Sequence, residues 1–186
     1  MKVIKYPAKE EWSEIVKRPH LDVSKLNATV QGVLDDVKKH GDEAVKRYEE
    51  MFDHAHLDSL AVTEAEIEEA EQLVSQELKD ALHLAHHNIA AFHQSQKFEG
   101  EKIETCPGVT CWQKSVAIQK VGLYIPGGTA PLFSTVLMLA TPAKIAGCGE
   151  IVLCTPPNQE GKVNPAILMA AKIAGVSKIF KAGGVQ

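Results

Sequence analysis

Three short apolar runs in the last third of this 186-residue chain, at 121–125, 150–154 and 177–180, constrain its fold more than any other feature. Each stops at a cluster of glycine or proline: Pro126-Gly127-Gly128-Thr129, Thr155-Pro156-Pro157 and Ala182-Gly183-Gly184. Segments long enough for a helix separate them. Strands alternating with helices at this spacing predict a βαβαβ unit with a parallel sheet. The first intervening helix is expected over 131–147, with Pro131 in its first turn, where a missing N–H costs nothing. Pro142 is expected to kink or end it, because the ring displaces a backbone hydrogen bond. Asn164 and Pro165 open the second helix and Gly175 closes it.

The first 110 residues follow a different rule. Leu26, Val30, Val33, Leu34 and Val37 recur at steps of three and four, one apolar stripe of a helix. Gly41 suits the position after that helix and Asp42 the cap of the next, whose face carries Ala44, Val45, Tyr48 and Phe52. Thr63-x-x-Glu66 is a capping box. From Ile67 to Phe92 the helical spacing continues, with Ser75 as a candidate break, so one helix or two are expected across 64–97. Residues 102–119 turn to short, turn-rich strand character around Pro107-Gly108.

Charge divides the chain at the same place. Residues 1–110 carry 13 Lys and Arg against 22 Asp and Glu, a net −9, whereas residues 111–186 carry 7 Lys against 2 Glu, a net +5. Two compositions predict two regions: a mainly helical one over 1–110, and a partial Rossmann-like one over 111–186 that breaks off at its C-terminal side. Seven scattered lysines suit an anionic small ligand and are too few for nucleic acid. Hydrophobic residues at 45% and charged residues at 24% exclude a disordered chain. No apolar run is long enough for a membrane span, and no signal peptide precedes the first charges, so a cytoplasmic protein is expected.

Chemistry is sparse. Cys106, Cys111, Cys148 and Cys154 form no CxxC pair and read as reduced structural thiols. His83 and His87 stand one helical turn apart, the spacing of a metal pair, but no third ligand joins them, and surface histidines are the expected reading. Ligands of parallel sheets bind beyond the carboxyl ends of the strands. Those ends carry Tyr124, the 126–129 turn, Thr155-Pro156 and the stretch from Gly183 to Gln186. The Pro-Gly-Gly-Thr turn before a helix can offer backbone amides to an anion; a packing role for its glycines is equally open. It is not GxGxxG, and the second strand ends without the carboxylate that holds a ribose. No histidine follows His93 and no aspartate follows Asp80, so the basic region lacks a general base at its strand ends. A three-stranded sheet that stops here is expected to leave its far edge uncovered. The chain therefore reads as the N-terminal portion of a longer protein.

The run VGLYIPGGTAPLFSTVLMLATPAKIAG, with EIVLCTPP and KIFKAGGVQ, strongly resembles the histidinol dehydrogenase family. HGDEAVKRYEEMFD, TEAEIEEA and NIAAFHQSQ resemble it upstream in the same order, so the likeness covers nearly the whole chain. The resemblance implies an aldehyde-dehydrogenase-like α/β fold. It further implies an NAD- and zinc-dependent oxidoreductase that takes L-histidinol through the aldehyde to L-histidine, as a homodimer. Tyr124 and Gln186 match NAD-contacting positions. The family's catalytic Glu-His pair and zinc ligands fall in sequence further downstream, so no catalytic or metal residue maps here and this chain alone is expected to be inactive. The alternatives are a non-catalytic nucleotide-binding or dimerisation module, and another aldehyde-dehydrogenase-like oxidoreductase.

Overall fold

A computed structural model describes residues 3–18, 24–128 and 130–186. Thr129, the last residue of the Pro-Gly-Gly-Thr turn, lies outside the described residues. A 3-10 turn, Lys9–Glu11, leads into the short helix α1, Trp12–Ile15. Then come α2, Ser24–His40, α3, Asp42–Tyr48, and a wide π-type turn, Glu49–Asp53. Gly41 both ends α2 and caps α3: its φ is 57° and its N–H bonds the Val37 carbonyl at 2.8 Å. Asp42 is therefore the first helical residue and not the cap, because only a residue tolerant of that φ can join the two helices.

Ser75 breaks the long apolar repeat into α4, Glu64–Leu73, and α5, Gln76–Gln94, its hydroxyl accepting from the Leu78 N–H at 3.3 Å. The capping box forms as expected: Thr63 Oγ1 accepts from Glu66 N–H at 3.3 Å, and Glu66 Oε2 accepts from Thr63 N–H at 2.8 Å. An exposed antiparallel hairpin follows, β1, Ile103–Cys106, and β2, Val109–Cys111, turning at Pro107-Gly108.

The remaining elements are β3, Lys120–Tyr124, α6, Phe133–Ile145, β4, Glu150–Thr155, α7, Pro165–Ala174, and β5, Lys178–Lys181. The strands form a parallel sheet in the order β3-β4-β5, with Tyr124 opposite Cys154 and Cys154 opposite Phe180. This is the predicted βαβαβ unit. Two details of α6 differ. It begins at Phe133, leaving Pro131 in the loop before it, and it runs through Pro142 to Ile145 instead of stopping. The carbonyl that Pro142 cannot reach belongs to Met138, which is exposed, so water can satisfy it; the next turn closes through Ala146 N–H to the Pro142 carbonyl at 2.8 Å.

Both crossovers run in the same direction across the sheet, and right-handed connections then place α6 and α7 on one face. The two pack on each other, α4 packs on α7, and α5 on α6. One apolar core results, shared by Val136, Leu137 and Ala140 of α6, Leu168 and Ala171 of α7, Leu153 and Ile179 of the sheet, and Ala70, Val74 and Leu82 from α4, α5 and the joint between them. The opposite charges of the two regions meet across this contact. Glu69 pairs with Lys162, Glu71 with Lys172 and Glu66 with Lys181.

The far edge of the sheet is not bare. Residues 60–62 run antiparallel to β5, with Val62 N–H donating to the Ile179 carbonyl at 2.9 Å and Lys181 N–H donating to the Leu60 carbonyl at 2.7 Å. The helical region thus covers an edge that sequence reasoning left open. No pattern could have shown it, since a bridge this short has no periodicity.

Candidate functional site at the strand ends

β3, β4 and β5 deliver three chain reversals to one side of the molecule, and a cavity of about 750 Å³ opens there. Tyr124, Gly127, Gly128, Thr155, Pro156 and Gly184 line its sheet side, and Asp53, Glu66, Glu69, Lys162 and Asn164 its helical and loop side. Pro156 sits between two glycines. A Cβ at Gly127 would collide with the proline ring, and one at Gly183 would lie 2.7 Å from Pro156 Cβ. Gly127 is thus a packing glycine. Gly128 differs: its φ is 135° and nothing lies within 4 Å of where a side chain would start, so its backbone faces open space.

Tyr124 and Gly184 meet through Gly184 N–H, which donates to Tyr124 Oη at 3.0 Å. Gln186 lies one step beyond and does not line the cavity wall; its Nε2 donates to Glu49 Oε1 at 2.8 Å. Of the two residues expected to share a ligand, Tyr124 at the end of β3 lines the cavity, whereas Gln186 in the loop after β5 is turned to Glu49.

The αβ region brings one carboxylate to the cavity wall, Glu160 in the loop after β4, and the helical region brings further ones to the strand ends. Glu49 is fully buried, and its Oε1 also accepts from Gly183 N–H at 2.7 Å. Burial pushes its carboxyl above the ordinary glutamate range and Asp53 adds to that, while the hydrogen bonds from Gly183 and Gln186 pull it back in part. Asp53 is half-buried, and burial likewise raises its carboxyl. Sequence reasoning missed both. The available signal was spacing: Val45, Glu49 and Asp53 follow one another at steps of four, so the carboxylates continue a buried stripe.

Positive charge does not gather at the cavity. Lys162 is the one lysine on its wall among the described residues, and Glu69 holds it at 2.7 and 2.9 Å. An anion here would rely on backbone amides. The first turn of α6 lacks a side-chain cap, and the buried Oγ1 of Thr155 has no partner, so both leave polar groups to be satisfied. Burial also raises the Cys154 thiol, which keeps it protonated and unreactive. His83 and His87 lie on the exposed side of α5, and no group of three His, Cys, Asp or Glu able to hold a metal occurs among the described residues. Within the same limits, no helix is long and apolar enough to cross a membrane.

Comparison with known proteins agrees with this architecture throughout the chain. Residues 16–186 match the family described as histidinol dehydrogenase. A histidinol dehydrogenase of Bacteroides fragilis is 66% identical over 186 residues, covering all of this chain and 44% of that protein. One from Escherichia coli K12 is 46% identical over 178 residues, 95% of this chain and 40% of that protein. The crystal structure of histidinol dehydrogenase from Elizabethkingia anophelis superposes with a TM-score of 0.92 at 47% identity, over 97% of this chain and 42% of that one. The chain therefore spans less than half the length of these relatives, and across that span sequence and fold agree: it belongs to the histidinol dehydrogenase family.

Proposed function

We propose that this chain is the cofactor-holding part of an enzyme that oxidises L-histidinol through L-histidinal to L-histidine with NAD⁺, the last steps of histidine biosynthesis. The observation that carries the proposal is the cavity at the carboxyl ends of a parallel sheet, in a chain 66% identical to a histidinol dehydrogenase. Its volume of about 750 Å³ falls within the roughly 300–1,000 Å³ typical of small-molecule and cofactor sites. The unpartnered Thr155 Oγ1 and the open backbone at Gly128 suit a ligand rich in hydroxyls and phosphates.

When bound, NAD⁺ supplies the hydride acceptor. Tyr124 would contact it from the end of β3. With its oxygen already accepting from Gly184 N–H, the phenol proton is left to donate, and the ring offers a face for stacking. Gln186 would contact it from the loop after β5, Thr155 would add a hydroxyl, and Gly128 would let the cofactor approach the backbone. The described residues do not fit a zinc site, so no step is derived through the metal. Zinc ligands and the Glu-His pair for proton transfer are assigned to sequence beyond this chain, and the complete enzyme is read as a cytoplasmic homodimer.

The test is an NADH-formation assay. The 186-residue protein, supplied with L-histidinol, NAD⁺ and zinc, should read background and retain well under one equivalent of zinc after dialysis. The full-length protein should turn over. Turnover by the short chain that survives removal of contaminating enzyme would overturn this division of labour.

A further inference from the structure

Glu49 is a carboxyl with no cation: no Lys, Arg or His forms an ion pair with it among the described residues, yet it is fully buried. Such a group is costly unless its position does something. Its Oε1 accepts two hydrogen bonds, from Gly183 N–H at 2.7 Å and from Gln186 Nε2 at 2.8 Å. Its Oε2 is buried and unpartnered. An oxygen that takes two N–H donors is the carbonyl-like one, and a proton on this carboxyl belongs on Oε2.

That assignment has a consequence for Gln186. A carboxamide can face a ligand with either end, but Glu49 engages the nitrogen end. The end left over is Oε1, which is buried without a partner. It folds back over Gly184, where a Cβ would collide with it. Gly184 itself lines the cavity and is tied to Tyr124. The clamp, the turned amide and the cavity rim are therefore one connected unit.

We propose that Glu49 is a positioning residue of the cofactor site: it clamps the 183–186 loop and so holds Gly184, and through the Gly184 N–H the Tyr124 hydroxyl, in place at the cavity rim. The ligand group met there would be an acceptor, because the Tyr124 oxygen already takes the Gly184 N–H and leaves its own proton to donate. The clamp stands on this chain's own geometry; its value to the cofactor rests on the reading of the cavity as an NAD site.

Two measurements separate the parts. In the 186-residue protein, hydrogen exchange at the Gly183 amide reports the clamp without any ligand. Glu49→Leu should speed it at least tenfold, and Glu49→Gln, which keeps a carbonyl acceptor, should stay within a few-fold of the parent. Where Glu49→Leu fails to fold, Glu49→Asp keeps the charge but withdraws the acceptor by one methylene and should likewise speed exchange. Unchanged Gly183 exchange in a folded Leu or Asp variant overturns the proposal. In the full-length enzyme, Glu49→Leu should raise KM for NAD⁺ several-fold with little change in KM for histidinol, and should add nothing further on top of Tyr124→Phe. A loosened Gly183 amide with an unaltered KM for NAD⁺ would overturn the positioning of Tyr124 for the cofactor. Equal further loss in the Tyr124→Phe background would overturn action through Tyr124.

Discussion

The bond from Gly184 N–H to Tyr124 Oη, 3.0 Å long, is the direct link between the first and last strand ends. Tyr124→Phe keeps the ring and removes the acceptor. A net hydrogen bond is worth about 1 kcal/mol, so under the proposed reading KM for NAD⁺ in the full-length enzyme should rise several-fold while KM for histidinol holds. Wild-type NAD⁺ dependence together with weakened histidinol binding would show that Tyr124 serves the substrate instead. Lys181 poses a different question at this scale. It is 8% exposed and pairs with Glu66. Burial pushes the Glu66 carboxyl up, but Lys181 and the Thr63 amide and hydroxyl outweigh it and hold the group below the ordinary range. A depressed carboxylate stabilises the fold above its unfolded value, about 4.3, and that contribution is lost as pH falls through the folded one. Glu49, raised instead, works the other way: its contribution is present at low pH and is lost as pH rises through its folded value. Urea unfolding against pH should therefore show Glu66→Gln flattening the loss of stability towards acid and Glu49→Gln flattening the loss as pH rises above the unfolded glutamate value. Lys181→Ala, which strands a mostly buried carboxylate, should cost on the order of 3 kcal/mol at neutral pH. The strand-end tyrosine was legible in the sequence, since a strand followed by Pro-Gly-Gly places its last side chain at a ligand-facing end. Glu49 and Asp53 were not, because long-range packing decides whether a carboxylate on a helical stripe is buried.

Among the elements, α4 joins the two regions. Its start is secured by the Thr63–Glu66 box, its middle reaches Lys162 and Lys172, and Ala70 enters the core. Thr63→Ala should destabilise the protein by about 1 kcal/mol in a denaturant melt, with no change in the slope of the transition. The Lys162 and Lys172 pairs are about half exposed and screened by solvent, so breaking either should matter much less. Local chemistry made most elements readable: the Ser75 break, the Asn164-Pro165 start and the Gly175 stop all rest on side chains acting within a few residues. α6 escaped because its limits are tertiary. Packing of Val136, Leu137 and Ala140 against α5 and α7 carries the helix past Pro142. Of the seven lysines read as suiting an anion, Lys162, Lys172 and Lys181 pair with glutamates of α4.

At the scale of the whole molecule, the compositional boundary near residue 110 does not coincide with a break in the core. α7 is buried along most of its length, and α4 and α5 supply the outer layer over α6 and α7. Residues 112–186 expressed alone should thus expose the apolar faces of both helices and show no cooperative thermal transition, whereas the 186-residue chain should melt in one step. A cooperative melt of the short piece would show that the sheet and its two helices are self-sufficient.

The antiparallel bridge between residues 60–62 and β5 gives the chain a time order. A ribosome releases the helical region long before β5 exists, so residues 60–62 must wait for a partner encoded more than a hundred positions later. During that interval the inward faces of α5 and α4 are covered only as α6 and α7 emerge, and loop-closure entropy delays the contact that ends the wait. Nascent chains halted before Lys178 should bind a hydrophobic-surface chaperone, and those released after Lys181 should let it go. Four residues of strand would then mark the point in synthesis at which the core shared by the helices and the sheet is complete.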